Sequence, residues 1–186
     1  MIRHTYFVLK ALVVAQSCLL FAALANAQIQ PTAEHELLKA MVGDWDAKMK
    51  LFHTPGAEPE VNECTETVEL LPGGMWVTSR FEGKIMGIPF IGVGTSGYDP
   101  TEKKFIGTWV DNMSPYMQTI KGDYDPKTKT MTSISESRNP LNGEEITYKE
   151  IGREIDDDTR TFEMHMPNDK GEYVKMLEIE YTRKKE

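Results

Sequence analysis

Cysteine is nearly absent from this chain of 186 residues, which holds only two, Cys18 and Cys64. If an N-terminal leader is removed as argued below, one thiol remains, and a lone thiol excludes an internal disulfide framework. Stability must then come from backbone pairing and a buried core. Basic charge is also scarce, with 21 Lys and Arg against 29 Asp and Glu. Such an acidic chain has no footprint for nucleic acid or an anionic membrane surface, so neither is an expected partner. No run after Leu24 is apolar enough to span a bilayer. Nor is there a glycine-rich phosphate loop, a nucleophile elbow or a Cys-His pair. His35, His53 and His165 have no metal-like partners nearby in sequence, and Asp156-Asp157-Asp158 lacks a calcium-loop signature and reads as a solvated turn. No metal or other cofactor is expected.

What is present begins with an export pattern. Arg3 and Lys10 flank the start of a mostly apolar stretch, Ala11 to Leu24, and Ala25-Asn26-Ala27 supplies the small-x-small site of a signal peptidase. Gln16 and Ser17 interrupt a run already short for a membrane anchor, and Ala15-Gln16-Ser17 is a poor lipoprotein box before Cys18. Residues 1–27 are therefore expected to be a signal peptide and residues 28–186 one domain. The mature chain keeps 19 basic against 29 acidic residues. It is expected to be periplasmic or secreted, with no stable membrane insertion after cleavage.

The remaining sequence changes period once and then keeps it. Thr32 to Met41 reads as a short helix, capped by Thr32 and ended by Gly43, with Leu37, Leu38 and Met41 as its apolar stripe. From Trp45 the period is two: Trp45, Ala47, Met49 and Leu51 alternate with Asp46, Lys48 and Lys50. Tyr-Asp-Pro occurs twice, at 98–100 and 124–126, and Asp followed by Pro is turn chemistry. Together with Pro72-Gly73-Gly74, Asn139 to Gly143, Asp156 to Asp158 and Asn168 to Gly171, these turns divide the chain into about ten short strands. The expected fold is all-β: an antiparallel up-and-down barrel with a short N-terminal helix, closed because closure removes the exposed strand edges.

Gly43-Asp44-Trp45, placed between helix and first strand, resembles the Gly-x-Trp signature of lipocalin-like barrels. In that superfamily the Trp plugs one end and a basic residue of the closing strand packs over it. Arg183 shares a face with Leu177, Ile179 and Tyr181 on the last strand, so Trp45 and Arg183 are the expected plug. The resemblance narrows with His35-Glu36-Leu37-Leu38, Val42-Gly43-Asp44-Trp45, Gly97-Tyr98-Asp99-Pro100, Lys104 to Trp109, Asp111-Asn112-Met113-Ser114 and Asp156-Asp157-Asp158. These are similar to the motifs of domain-of-unknown-function family 1579 over nearly all of the mature chain. The family implies a lipocalin-like, often exported bacterial barrel and carries no activity with it. Asn112 stands where the family pattern has a serine, which leaves that position without an assigned role.

Candidate binding residues follow from strand phase. Phe105, Gly107, Trp109 and Asp111 share a face that runs into the Asn112 to Tyr116 loop, as at the mouth of a small-molecule cavity. Equally, Trp109 fills a core and Asp111 caps the loop. Counting back from Pro72 to Gly74 pairs Glu66 with Arg80, either as a polar anchor inside the barrel or as a surface ion pair, the latter favoured by the apolar phase of Met75, Val77 and Phe81. The leading reading is non-catalytic binding of a small, mainly apolar molecule. Two others stand beside it: an enzyme using Glu66, Asp111 or Tyr116 near the mouth, and an interaction domain with a filled core.

Overall fold

The chain changes from helix to strand where its period does. A computed structural model describes residues 30–53, 57–168 and 170–185, so the export segment lies outside the described residues. Helix α1 (Ala33–Lys39) starts where Thr32 N donates to His35 Nδ1 at 2.9 Å. Its buried residues are His35 and Leu38. It is shorter than the expected Thr32 to Met41, because its last turn is spent on single hydrogen bonds that lead into Gly43.

Ten strands follow: β1 (Gly43–Leu51), β2 (Glu60–Leu70), β3 (Trp76–Ile85), β4 (Ile88–Asp99), β5 (Lys104–Asp111), β6 (Gln118–Asp125), β7 (Thr130–Arg138), β8 (Glu145–Glu154), β9 (Thr159–Pro167) and β10 (Tyr173–Arg183). Each pairs antiparallel with the next, and β10 returns to β1 to close the barrel. Both Tyr-Asp-Pro segments close hairpins of one type. Asp99 Oδ1 accepts from Thr101 N at 2.7 Å, and Asp125 Oδ1 accepts from Lys127 N at 2.9 Å. The two loops end on Lys103 and Lys129, both in the left-handed region.

One register differs from expectation. Leu71 N bonds to Trp76 O, so the turn after β2 is one residue longer than Pro72 to Gly74. Glu66 therefore faces Phe81, and Arg80 faces Thr67. Because the side-chain period is two, that slip places Glu66 and Arg80 on opposite faces.

Bulk is distributed unevenly around the interior. Trp45, Ala47, Met49, Cys64, Val68, Val77, Phe81, Ile179 and Tyr181 on β1, β2, β3 and β10 are buried and pack as one cluster. Each large apolar side chain so buried contributes about 1.5–3 kcal/mol. Across the barrel many inward positions are small: Gly92, Gly94 and Ser96 on β4, Gly107 on β5, Gly122 on β6, and Ser133 and Ser135 on β7. Between these small residues on β4 and β7, apolar side chains face outward, Val93 at 38% exposure and Ile134 at 43%. Half of the barrel is thus a packed core, and the other half is lined by residues that leave room.

Candidate ligand-binding lumen

The closed end is built around Trp45, which is 2% exposed. Its Nε1 donates to Met41 O at 2.9 Å, tying the first strand to the end of the helix. The Arg183 guanidinium lies 4.1 Å from the ring centroid. It also donates to Val42 O at 2.6 Å, Ala40 O at 2.8 Å and Asp157 O at 3.1 Å. Arg183 thus satisfies carbonyls left open at the helix C-terminus while stacking on the indole. A second guanidinium, Arg160, lies 4.3 Å from the Trp45 ring and 4.5 Å from Tyr181.

Arg160 is the partner of Glu66. The two form an ion pair with side chains 13% and 9% exposed. Burial pushes the Glu66 carboxyl up, against the opposing pull of Arg160 and of the Ser79 hydroxyl. Arg80 is outside, bonded to Glu82 at 3.0 Å, both side chains half exposed. The expected Glu66–Arg80 pair is therefore replaced by Glu66–Arg160. The earlier signal was strand phase: Arg160 shares the inward phase of Phe162, Met164 and Met166.

Above this floor the inward side chains keep contact with solvent. Phe90, Trp109, Tyr148, Phe162, Met164 and Leu177 point inward by register yet are only partly buried. In a closed barrel, such exposure requires an opening along the axis. The Trp109 ring lies against Gly92, where a Cβ would collide with it, and close to Gly94, where a Cβ would come within 3.1 Å of it. Its Nε1 donates to Asp111 Oδ2 at 3.1 Å. The other Asp111 oxygen accepts from Met113 N at 2.8 Å and Ser114 N at 3.0 Å. Asp111 therefore orients Trp109 and caps the loop at once.

Asn112 Oδ1 accepts from Ile91 N at 2.9 Å and its Nδ2 donates to Pro89 O at 3.0 Å, so this position extends the β4–β5 seam beyond the last strand pair. Tyr116 lines a cleft of about 400 Å³ at the mouth, with Met117, Ser137, Arg138 and Ile146.

Below that cleft lies a buried polar cluster the sequence reading missed. Gln118 Nε2 donates to Glu150 Oε1 at 2.9 Å and also to Ser135 Oγ, and Ser135 Oγ donates to the same Oε1 at 2.6 Å. Gln118, Ser135 and Glu150 are 8%, 0% and 6% exposed. Burial pushes the Glu150 carboxyl up, opposed only by the Ser135 hydroxyl. The Tyr148 phenol is pushed up by burial and secondarily by the Asp111 charge. The available signal was Glu150 sharing a phase with Ile146, Tyr148 and Gly152 rather than with Lys149 and Arg153.

The remaining histidines are accounted for. His35 sits edge-on to Tyr98 at 5.7 Å, His53 contacts Glu60 at 3.0 Å, and His165 faces outward near Glu163 at 3.6 Å. Among the described residues no group of three or more His, Cys, Asp or Glu is placed to hold a metal ion, and no helix is long and apolar enough to cross a membrane.

A ten-stranded up-and-down barrel closed at one end by an Arg-capped Trp is a lipocalin-like fold. The chain belongs to the family DUF1579, described as protein of unknown function, whose model matches residues 30–183. No curated protein matches the sequence. Among solved structures, the chain is similar to Rv2717c from M. tuberculosis, with TM-score 0.62 and 11% identity, covering 83% of this chain and 99% of that one. It is also similar to the S-type phycobiliprotein lyase CPES from Guillardia theta, with TM-score 0.54 and 12% identity over 83% and 94% of the two chains. At these identities the likeness is one of fold alone.

Proposed function

We propose that this is an exported binding protein whose barrel holds one small, mainly apolar molecule in the open half of its lumen, without turning it over. The observation that carries the reading is the set of inward aromatic and apolar side chains, Phe90, Trp109, Phe162, Met164 and Leu177, that stay partly exposed above a buried floor. Apolar walls with a few polar groups are the usual makeup of a small-molecule site.

The occupation of the candidate carboxylates supports binding over catalysis. Glu66 is committed to Arg160, and Asp111 to Trp109 and its loop. The small inward residues on β4 to β8 weigh against a filled core. Export rests on the pattern of residues 1–27.

Titration with an apolar probe such as a fatty alcohol tests the reading. Tryptophan emission should change saturably, and the change should be lost in Trp109→Phe with the fold retained. No saturable binding, or binding whose emission change survives Trp109→Phe, would contradict it.

A further inference from the structure

On the reading that the lumen binds an apolar molecule, we propose that Glu150 is the specificity anchor of that site and that the ligand carries a basic amino group which pairs with its carboxylate. Four observations converge. First, Glu150 is 94% buried by its 6% exposure, on a strand whose inward neighbours are Tyr148 and Gly152. A buried carboxylate persists when it has hydrogen bonds and a counter-charge. Glu150 has the first without the second.

Among the described residues, the cations on the barrel's inward faces, Arg160 and Arg183, are both at the closed end. Arg160 is taken by Glu66, and Arg183 by backbone carbonyls and Trp45. Glu150 is left as an uncompensated acid on the lumen wall.

Second, the hydrogen bonds are one-sided. Gln118 and Ser135 both donate to Oε1, an arrangement that holds the carboxylate plane fixed and favours its charged form. Oε2 has no protein partner. The buried side-chain polar atoms without a partner, among the described residues, are Arg160 Nε and His165 Nδ1, so Oε2 is not sealed in. Together with Gln118 Oε1, which also has no hydrogen-bond partner among the described residues, it is free to accept from a ligand.

Third, the cluster stands below the mouth on the strands that form it. The cleft's inward residues are Tyr116, Ser137 and Ile146. Two residues further along the same strands stand Gln118, Ser135 and Tyr148, and two beyond Tyr148 stands Glu150. At about 3.3 Å per residue, Glu150 lies roughly 13 Å along β8 from Ile146 at the rim. Phe162 and Met164 on β9 flank it, since Met164 faces Glu150 and Phe162 faces Gly152.

Fourth, the sign of the field agrees. The chain carries a formal net charge of −8, and Asp111 stands at the same mouth. Against this net charge an anionic head is disfavoured and a cationic one favoured, and Arg138, which lines the cleft, is already paired with Glu145.

The test compares three probes of equal chain length, dodecylamine, dodecanol and dodecanoate, by calorimetric titration against the wild-type protein and Glu150→Gln. The amine should bind at least about tenfold more tightly than the alcohol, and dodecanoate weakest. Glu150→Gln should erase the amine's advantage over dodecanol while dodecanol still binds saturably, which also reports an intact lumen. Glu150→Asp, which withdraws the carboxylate by one methylene, should weaken the amine in the same direction and serves if the glutamine variant does not fold.

Dodecanol binding as tightly as the amine, or an amine preference untouched by either variant, overturns the role of Glu150 while the lumen reading stands. Absence of binding by all three overturns both.

Discussion

Trp45→Ala is the sharpest perturbation of the closed end. The indole is 2% exposed, and its removal leaves a void beneath the helix. Truncating a buried Trp costs about 3–5 kcal/mol in transfer and cavity terms. Two further losses push toward the upper end of that range. The Nε1 bond to Met41 O disappears, worth about 1 kcal/mol, and two guanidiniums lose the ring they stack on, one of them inside the barrel.

For a domain of this length each kcal/mol lowers the melting midpoint by about 2–4 °C, so a drop of about 6–20 °C is expected. Trp45→Phe keeps a ring and loses the donor, so it should cost about 1–2 kcal/mol. Denaturant unfolding followed by circular dichroism reads both. A loss below about 0.5 kcal/mol for Trp45→Ala, typical of a surface site, would refute the plug.

Other expectations follow from the same geometry. Glu66→Gln strands Arg160 and should cost roughly 3–5 kcal/mol, whereas Glu66→Leu with Arg160→Met should cost clearly less than the two single changes together; strict additivity would show that the pair is not coupled. Arg80→Ala should stay within about 0.5 kcal/mol of wild type, and a loss above ~1.5 kcal/mol would restore it to the interior. Glu150 is held above the ordinary carboxylate range, so its ionisation opposes folding above its folded-state pKa and ceases to do so as pH falls toward the unfolded value near ~4.3. Glu150→Gln should therefore unfold later than wild type at pH 8, with the gap closing toward pH ~4.3; a gap independent of pH would contradict the burial argument.

The barrel was legible because its information is local. Each Tyr-Asp-Pro and Asn-Pro-Leu-Asn-Gly turn announces a hairpin, and the alternation in Trp45 to Leu51 announces which face is buried. The plug was legible for the same reason, since Trp45 and Arg183 sit at strand ends in the apolar phase and the closing register puts them opposite each other.

What was not legible lay across the barrel. Glu66 and Arg160 are 94 residues apart, on strands that are not neighbours in the sheet, and no count along a hairpin joins them. The Glu66–Arg80 pairing failed through a single extra residue in the turn after β2, which moves Arg80 from opposite Glu66 to opposite Thr67. The lumen wall was hidden by inverted strands. On β7 the serines face in and Ile134 faces out, so hydrophobic phase points the wrong way. That inversion creates the room Trp109 and the Gln118–Ser135–Glu150 cluster occupy.

Native mass spectrometry of the protein purified from its own host, under conditions that preserve noncovalent complexes, tests the central claim most directly. The account predicts a population carrying one additional small molecule per chain, released on denaturation, and, after its removal, reloading to one per chain with dodecylamine. A single bare mass that takes up no probe at saturating concentration would contradict it.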